Sequence, residues 1–204
     1  MSWVPKVDSE FGEYRIQALI GHGGMSVVYL AQHKSLERKV ALKIMSPALT
    51  ESKDFQERFT RESRLAAALD HPNIIPIYEA GERDGVFFIA MRYVDGSDLK
   101  HLIQRDGPLD QARTGSIITQ VANALAAAHD EGLVHRDIKP ANILIMSRRT
   151  GEDGDHVYLS DFGVAKHTAS RVALTKTGLF VGTADYAAPE QIEGGPLDGR
   201  VDIY

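Results

Sequence analysis

The chain contains no cysteine. Disulfides and thiolate zinc sites are therefore excluded, which suits a reducing, cytoplasmic setting. Positive charge is not in excess either: 23 Lys and Arg stand against 28 Asp and Glu, a formal charge of −5. That sign argues against a nucleic-acid partner, because neutralising phosphates needs clustered basic residues. No apolar run approaches the roughly 20 residues of a membrane helix. The first residues, Met-Ser-Trp-Val-Pro-Lys-Val-Asp, lack the apolar core of a signal peptide. Membrane contact is thus not encoded in this sequence, whatever a longer parent carries. There is no internal repeat and no low-complexity tract. The 8 histidines show no metal-binding spacing such as His-Glu-x-x-His. A length of 204 residues allows one domain or a two-lobed one.

What is present divides into two halves. Residues 1–94 read mostly as antiparallel strands: Tyr14 to Ile20, Val27 to Ala31, Lys39 to Ile44, Ile74 to Tyr78 and Val86 to Met91. Asp84-Gly85 between the last two is a hairpin signal. One helix interrupts them, capped by Ser52 or Asp54 and ended by Asp70-His71-Pro72. Its apolar face is Phe55, Phe59, Ala66 and Leu69, with Glu62 in the same stripe. A carboxylate there requires a cationic partner, because burying it unpaired is costly. Asp95-Gly96-Ser97 reads as a hinge. Residues 95–204 then turn helical, with Ile117, Ile118, Val121, Leu125 and Ala128 as one stripe and Gly132 as its stop. Leu133-Val134, Ile143 to Ile145 and Val157 to Leu159 are short apolar pieces between polar loops, where reactive groups are expected. The fold class expected is α+β, an antiparallel sheet with one helix followed by a mainly helical half.

Gly21-His22-Gly23-Gly24-Met25-Ser26 is a glycine-rich turn. A strand sequence, Val27-Val28-Tyr29-Leu30, follows it, whereas a dinucleotide fold needs a helix at that place. The glycines join two strands, either as an ordinary hairpin turn or as a flap whose backbone N–H groups close over phosphates. Lys43 in Val40-Ala41-Leu42-Lys43 is by itself an ordinary solvent-side lysine. Glu62 in the next helix answers its charge.

Two further segments carry the most chemistry: His135-Arg136-Asp137-Ile138-Lys139-Pro140-Ala141-Asn142 and Asp161-Phe162-Gly163. Together they supply two carboxylates and an amide, the set that positions a hydroxyl and holds Mg²⁺ against a triphosphate. In order and residue type they resemble the catalytic loop and metal-binding segment of protein kinases. Gly-Gly-Met-Ser-Val-Val-Tyr, His-Pro-Asn-Ile and Thr-Ala-Asp-Tyr-Ala-Ala-Pro-Glu-Gln narrow the resemblance to the bacterial eukaryotic-like (Hanks-type) serine/threonine kinases. It runs from about Tyr14 to Tyr204.

The resemblance implies a bilobal kinase fold, ATP and Mg²⁺ (or Mn²⁺) as cofactors, and protein substrates bearing Ser or Thr. Lys43, oriented by Glu62, would meet the α and β phosphates. Ile20, Gly21, Gly23 and Gly24 would form the flap, although Ser26 replaces the usual third glycine. Val28, Ala41 and Leu144 would sandwich adenine, Met91 would guard the back of the pocket, backbone groups of Arg92 and Val94 would read the adenine edge, and Asp98 would meet the ribose. Asp137 would orient the substrate hydroxyl and accept its proton, Lys139 would offset charge on the transferring group, and Asn142 and Asp161 would hold the metal. His135 would be a packing residue, not the base. Arg136 would pair with phosphate on Thr175 or Thr177, in a hydroxyl-rich segment that is either a switch or an ordinary loop. Asp202 would brace the backbone of the catalytic loop. The stretch from Arg148 to Asp155 is longer than usual, as an extended surface turn or a docking element. Val201 to Tyr204 fall where the family begins a long buried helix, so apolar residues that would pack on it are expected to be exposed and the chain less stable than a complete domain. An active kinase, an inactive nucleotide-binding pseudokinase and a dinucleotide protein are the competing readings. Dimerisation through the strand-rich lobe is common among relatives.

Overall fold

The computed structural model describes residues 5–146, 154–162 and 184–204. The chain divides into two compact units, Met1–Ala67 with Pro76–Tyr93, and Ala68–Ile75 with Val94–Tyr204.

The first unit is a six-stranded antiparallel sheet. Its strands are β1 (Glu10–Phe11), β2 (Tyr14–His22), β3 (Ser26–His33), β4 (Lys39–Met45), β5 (Ile77–Arg83) and β6 (Val86–Arg92). The spatial order is β1-β2-β3-β4-β6-β5. Alternation along β3 and β4 sends Val27, Tyr29, Ala31, Val40, Leu42 and Ile44 into one buried core with Tyr14, Ile16, Phe88 and Ala90. The sheet curls until the Tyr14 hydroxyl on β2 donates to Glu79 on the far strand β5. Burial, and then that carboxylate, push the phenol well above its ordinary range.

The opposite face carries several of the residues singled out from the sequence. Val28 pairs with Lys43, Ala41 with Leu30 and Met91, and Lys43 with Ile89, so these residues share it. After a short helix α1 (Pro47–Thr50), helix α2 (Lys53–Ala68) packs on the same face. Phe55 and Phe59 meet Phe87 edge-on, with centroids 6.1 and 5.1 Å apart. The buried stripe of α2 is Phe55, Phe59, Glu62, Ser63 and Ala66. Leu69 lies beyond the helix and is half-buried.

The expected strand Ile74 to Tyr78 does not form as such. Pro76 has no N–H to give a ladder, and it separates two destinations. Ile77 opens β5, while the Ile75 N–H reaches the Leu159 carbonyl in the second unit (3.0 Å).

The second unit contains β7 (Gly96–Asp98), α3 (Leu99–Asp106), α4 (Gln111–Asp130), β8 (Ile143–Met146), β9 (His156–Leu159) and a short α5 (Pro189–Glu193). The expected hinge at Asp95-Gly96-Ser97 is in part strand: Gly96 and Ser97 pair with Met146 and Ile145. Asp110 caps α4 by accepting from the Arg113 N–H (2.8 Å). Gly132 ends it at φ 72°, with its own N–H on the His129 carbonyl and that of Leu133 on the Ala128 carbonyl, a Schellman stop. Ile117, Val121, Ala124, Leu125 and Ala128 are buried; Ile118 is 55% exposed and leaves the stripe. Leu133-Val134 forms no strand. Tyr186, Ile192, Ile203 and Tyr204 are exposed. Among the described residues no helix is long and apolar enough to cross a membrane.

Candidate active site

Within the second unit the segment 135–142 is held from several sides. Asp202, buried at the end of a 3₁₀ turn (Gly199–Asp202), accepts from the N–H of His135 (2.7 Å), the N–H of Arg136 (2.6 Å) and His129 Nε2 (2.8 Å). Three donors offset the cost of burying that carboxylate. The role expected of Asp202 as a brace is the one its geometry performs. Arg136 sits at φ 64°, which a side chain adopts only when its surroundings over-determine it.

His135 is fully buried and both ring nitrogens are used. Nε2 donates to the Ser160 carbonyl (2.9 Å), and Nδ1 accepts from the Asp137 N–H (3.2 Å). Burial pushes the imidazole below its ordinary value, keeping it neutral. The Phe162 ring lies 4.8 Å from it. A residue so committed has no nitrogen left for a substrate, so His135 is a packing residue.

Asp137, Lys139 and Asn142 converge. Lys139 Nζ lies 2.9 Å from Asp137 Oδ2. Asn142 Nδ2 donates to the Asp137 backbone carbonyl (2.8 Å) and to Asp137 Oδ2 (3.1 Å). Pro140 opens the 3₁₀ turn Pro140–Asn142 that makes this reach possible. With both amide hydrogens spent on Asp137, Asn142 presents its Oδ1 as an acceptor. The Ser160 N–H and Oγ both reach the Asn142 carbonyl (2.9 and 3.1 Å), so Asn142 also anchors the residue preceding Asp161. Asp161 is itself at φ 63°. An amide oxygen and a carboxylate tied together at that junction are the hard donors Mg²⁺ takes, usually beside waters and phosphate oxygens. The residues present therefore fit a nucleotide-borne Mg²⁺. Among the described residues no cluster of three or more His, Cys, Asp or Glu would hold a metal unaided.

The remaining expected residues fall as follows. Ile20 and Gly21 end β2, and Gly23 and Gly24 form the turn to β3, closed by the Gly23 N–H on the Ser26 carbonyl (2.9 Å). The glycines join two strands, as expected. Val28, Ala41, Lys43 and Met91 share the sheet face that α2 covers, and Glu62 lies buried on that helix. The Arg92 N–H donates to the Pro76 carbonyl (2.9 Å), so any adenine contact from Arg92 has to come through its carbonyl. Val94 begins the longer segment of the second unit. Asp98 pairs with Leu144 and caps α3 by accepting from the His101 N–H (2.9 Å); its other oxygen meets His101 Nδ1 (2.5 Å). Thr175 and Thr177 lie outside the described residues, as do Arg148 to Asp153.

Several positioning residues escaped the sequence. Arg113 makes a two-point pair with the buried side chain of Asp155 (2.6 and 3.2 Å). Gln120 accepts from the Val157 N–H and from Asn73, and donates to the Asp155 carbonyl. Gln191 donates to the Arg136 carbonyl (3.0 Å). Polar residues on helices read as solvent-facing, and only the fold shows their partners. The one available signal was that Gln191 ends a motif already quoted for the resemblance.

Residues 14–204 match the model of the protein kinase domain. The chain is similar to serine/threonine-protein kinase PknD of Mycobacterium tuberculosis, 45% identical over 98% of this chain and 29% of the relative. It is also similar to PknH of Mycobacterium bovis (44%, covering 98% and 32%) and to Pkn3 of Myxococcus xanthus (43%, covering 94% and 36%). It thus spans about a third of the length of these relatives. The solved kinase domain of Mycobacterium tuberculosis PknI superposes with a TM-score of 0.79 at 36% identity, over 98% of this chain and 72% of that one. The chain belongs to the protein kinase family, among the bacterial serine/threonine kinases, a class of transferases.

Proposed function

We propose that this chain transfers the γ-phosphoryl group of ATP to serine and threonine hydroxyls of proteins. One observation carries the reading: Lys139 Nζ and Asn142 Nδ2 each lie within 3.1 Å of the same Asp137 carboxylate oxygen. Residues 1–94 act as the nucleotide-binding lobe and residues 95–204 as the catalytic lobe. Asp137 holds the incoming hydroxyl in line and takes its proton as the new O–P bond forms and the bond from the γ-phosphorus to the β–γ bridging oxygen breaks, with ADP as leaving group. Lys139 offsets negative charge on the transferring group. Asn142, through Oδ1, and Asp161 would hold Mg²⁺, which would supply positive charge to offset that of the phosphates.

In the first unit, Lys43 meets the α and β phosphates and Glu62 orients it. Support comes from their placement: the strand face bearing Lys43 is the face onto which the stripe bearing Glu62 packs. Ile20, Gly21, Gly23 and Gly24 close over the phosphates. Val28, Ala41 and Leu144 hold adenine, Met91 lies behind it, the Arg92 carbonyl and the Val94 N–H read its edge, and Asp98 meets the ribose. Arg136 receives a phosphate placed on Thr175 or Thr177 by autophosphorylation. Position and charge, with little covalent chemistry by the protein, perform the catalysis.

Incubation with labelled ATP, Mg²⁺ and a generic basic protein tests this. Label should reach Ser and Thr and be lost with Asp137→Asn; transfer unchanged in that variant would refute the assignment.

A further inference from the structure

The backbone around Arg136 carries a constraint that the family reading leaves unassigned. Its N–H is taken by Asp202 Oδ1 (2.6 Å), and its carbonyl is taken by Gln191 Nε2 (3.0 Å) from α5. The peptide joining Arg136 to Asp137 is therefore gripped at both polar atoms. Gln191 holds its C=O, and His135 Nδ1 holds its N–H (3.2 Å). That plane sits between a residue at φ 64° and the proposed base. Turning it would swing the Asp137 side chain away from Lys139 and Asn142. The half-buried Gln191 is itself fixed, because its Oε1 accepts from the Ala188 N–H (3.0 Å) at the start of α5.

We propose that Gln191 is a positioning residue for the phosphoryl-transfer reaction: its amide N–H locks the Arg136–Asp137 peptide so that the carboxylate points at the substrate hydroxyl. The inference rests on the reading of Asp137 as the base. Gln191 touches no reacting atom. One end of its amide is a strut within α5 and the other reaches the catalytic loop, so the two ends can be separated chemically.

Gln191→Glu separates them. A carboxylate still accepts from the Ala188 N–H but opposes the Arg136 carbonyl with a second oxygen. Gln191→Leu removes both bonds. For Gln191→Glu the turnover number with a generic basic protein substrate should fall about 10- to 100-fold, the scale of a misplaced group. The KM for ATP should stay within about twofold, since ground-state nucleotide binding is untouched. Tm should remain near that of the parent, whereas Gln191→Leu lowers it. Hydrogen exchange gives a readout independent of turnover: the amides of Arg136 and Asp137 should exchange faster in Gln191→Glu, with α4 unchanged. Unchanged turnover and exchange in Gln191→Glu would overturn the proposal. So would a general rise in exchange across the second unit with a matching loss of Tm, which marks a purely structural role. A parent chain that transfers no phosphate would remove the function reading instead, and the exchange pattern would still decide whether Gln191 holds the loop.

Discussion

Two aspartates with opposite duties stand 65 positions apart and act on the same few atoms. Asp202 is spent on three donors and holds backbone, whereas the Asp137 carboxylate meets a lysine and an amide, the groups proposed to serve the reaction. Asp137→Asn keeps the shape and removes the proposed base, so turnover should fall by roughly 10²–10⁴-fold, the usual scale for general-base catalysis. ATP binding, followed by thermal shift, should be nearly unchanged. His135 adds a pH dependence to folding. Its folded-state value is depressed by burial, so the unfolded chain binds the proton more readily. The stability this neutral form supports is complete above the unfolded value of about 6.5 and is lost as pH falls below it toward the folded value. Urea unfolding between pH 8 and pH 5 should show that loss, with a shallower slope for His135→Gln; identical slopes would show that His135 does not titrate in this way.

At the scale of elements, alternation and glycine position were legible where burial follows a simple period. The strands from Tyr14 to Ile20, Val27 to Ala31 and Lys39 to Ile44 could be read because one face enters a core, and Gly132 could be read because a Schellman stop favours positive φ. Ile74 and Ile75 could not be assigned by pattern, because their partner, Leu159, is about 85 residues away in the sequence, although it belongs to the same unit. The motif residues Asp137, Lys139 and Asn142 were visible as chemistry, but the Arg113–Asp155 and Gln191–Arg136 contacts were not, since nothing local marks a polar side chain that finds a distant partner. These contacts have measurable weight. Arg113→Ala would leave the buried Asp155 carboxylate without its two-point partner and should cost about 1–3 kcal/mol in urea unfolding. Gly199→Ala would place a Cβ 2.8 Å from His129 Nδ1, whose ring is tied to Asp202, and overpacking there should cost about 1–3 kcal/mol. A silent Gly199→Ala would mean that the His129–Asp202 contact yields easily.

For the whole molecule, the division of labour follows from the two units. In the first unit a curled sheet and helix α2 put Lys43 on the sheet face against which the stripe bearing the buried Glu62 packs, and in the second unit one braced loop carries the proposed base and the proposed oxygen donor Asn142. On the proposed reading neither set of groups is complete without the other, and a bound nucleotide is what would recruit both. The most direct measurement is a crystal structure of the chain grown with Mg²⁺ and a non-hydrolysable ATP analogue. Lys43 Nζ should lie on the α and β phosphates, Asn142 Oδ1 and the Asp161 carboxylate should coordinate the metal, and Asp137 should face the γ position. A bound analogue whose phosphates avoid Lys43, or a metal held without Asn142 and Asp161, would contradict phosphoryl transfer at this site.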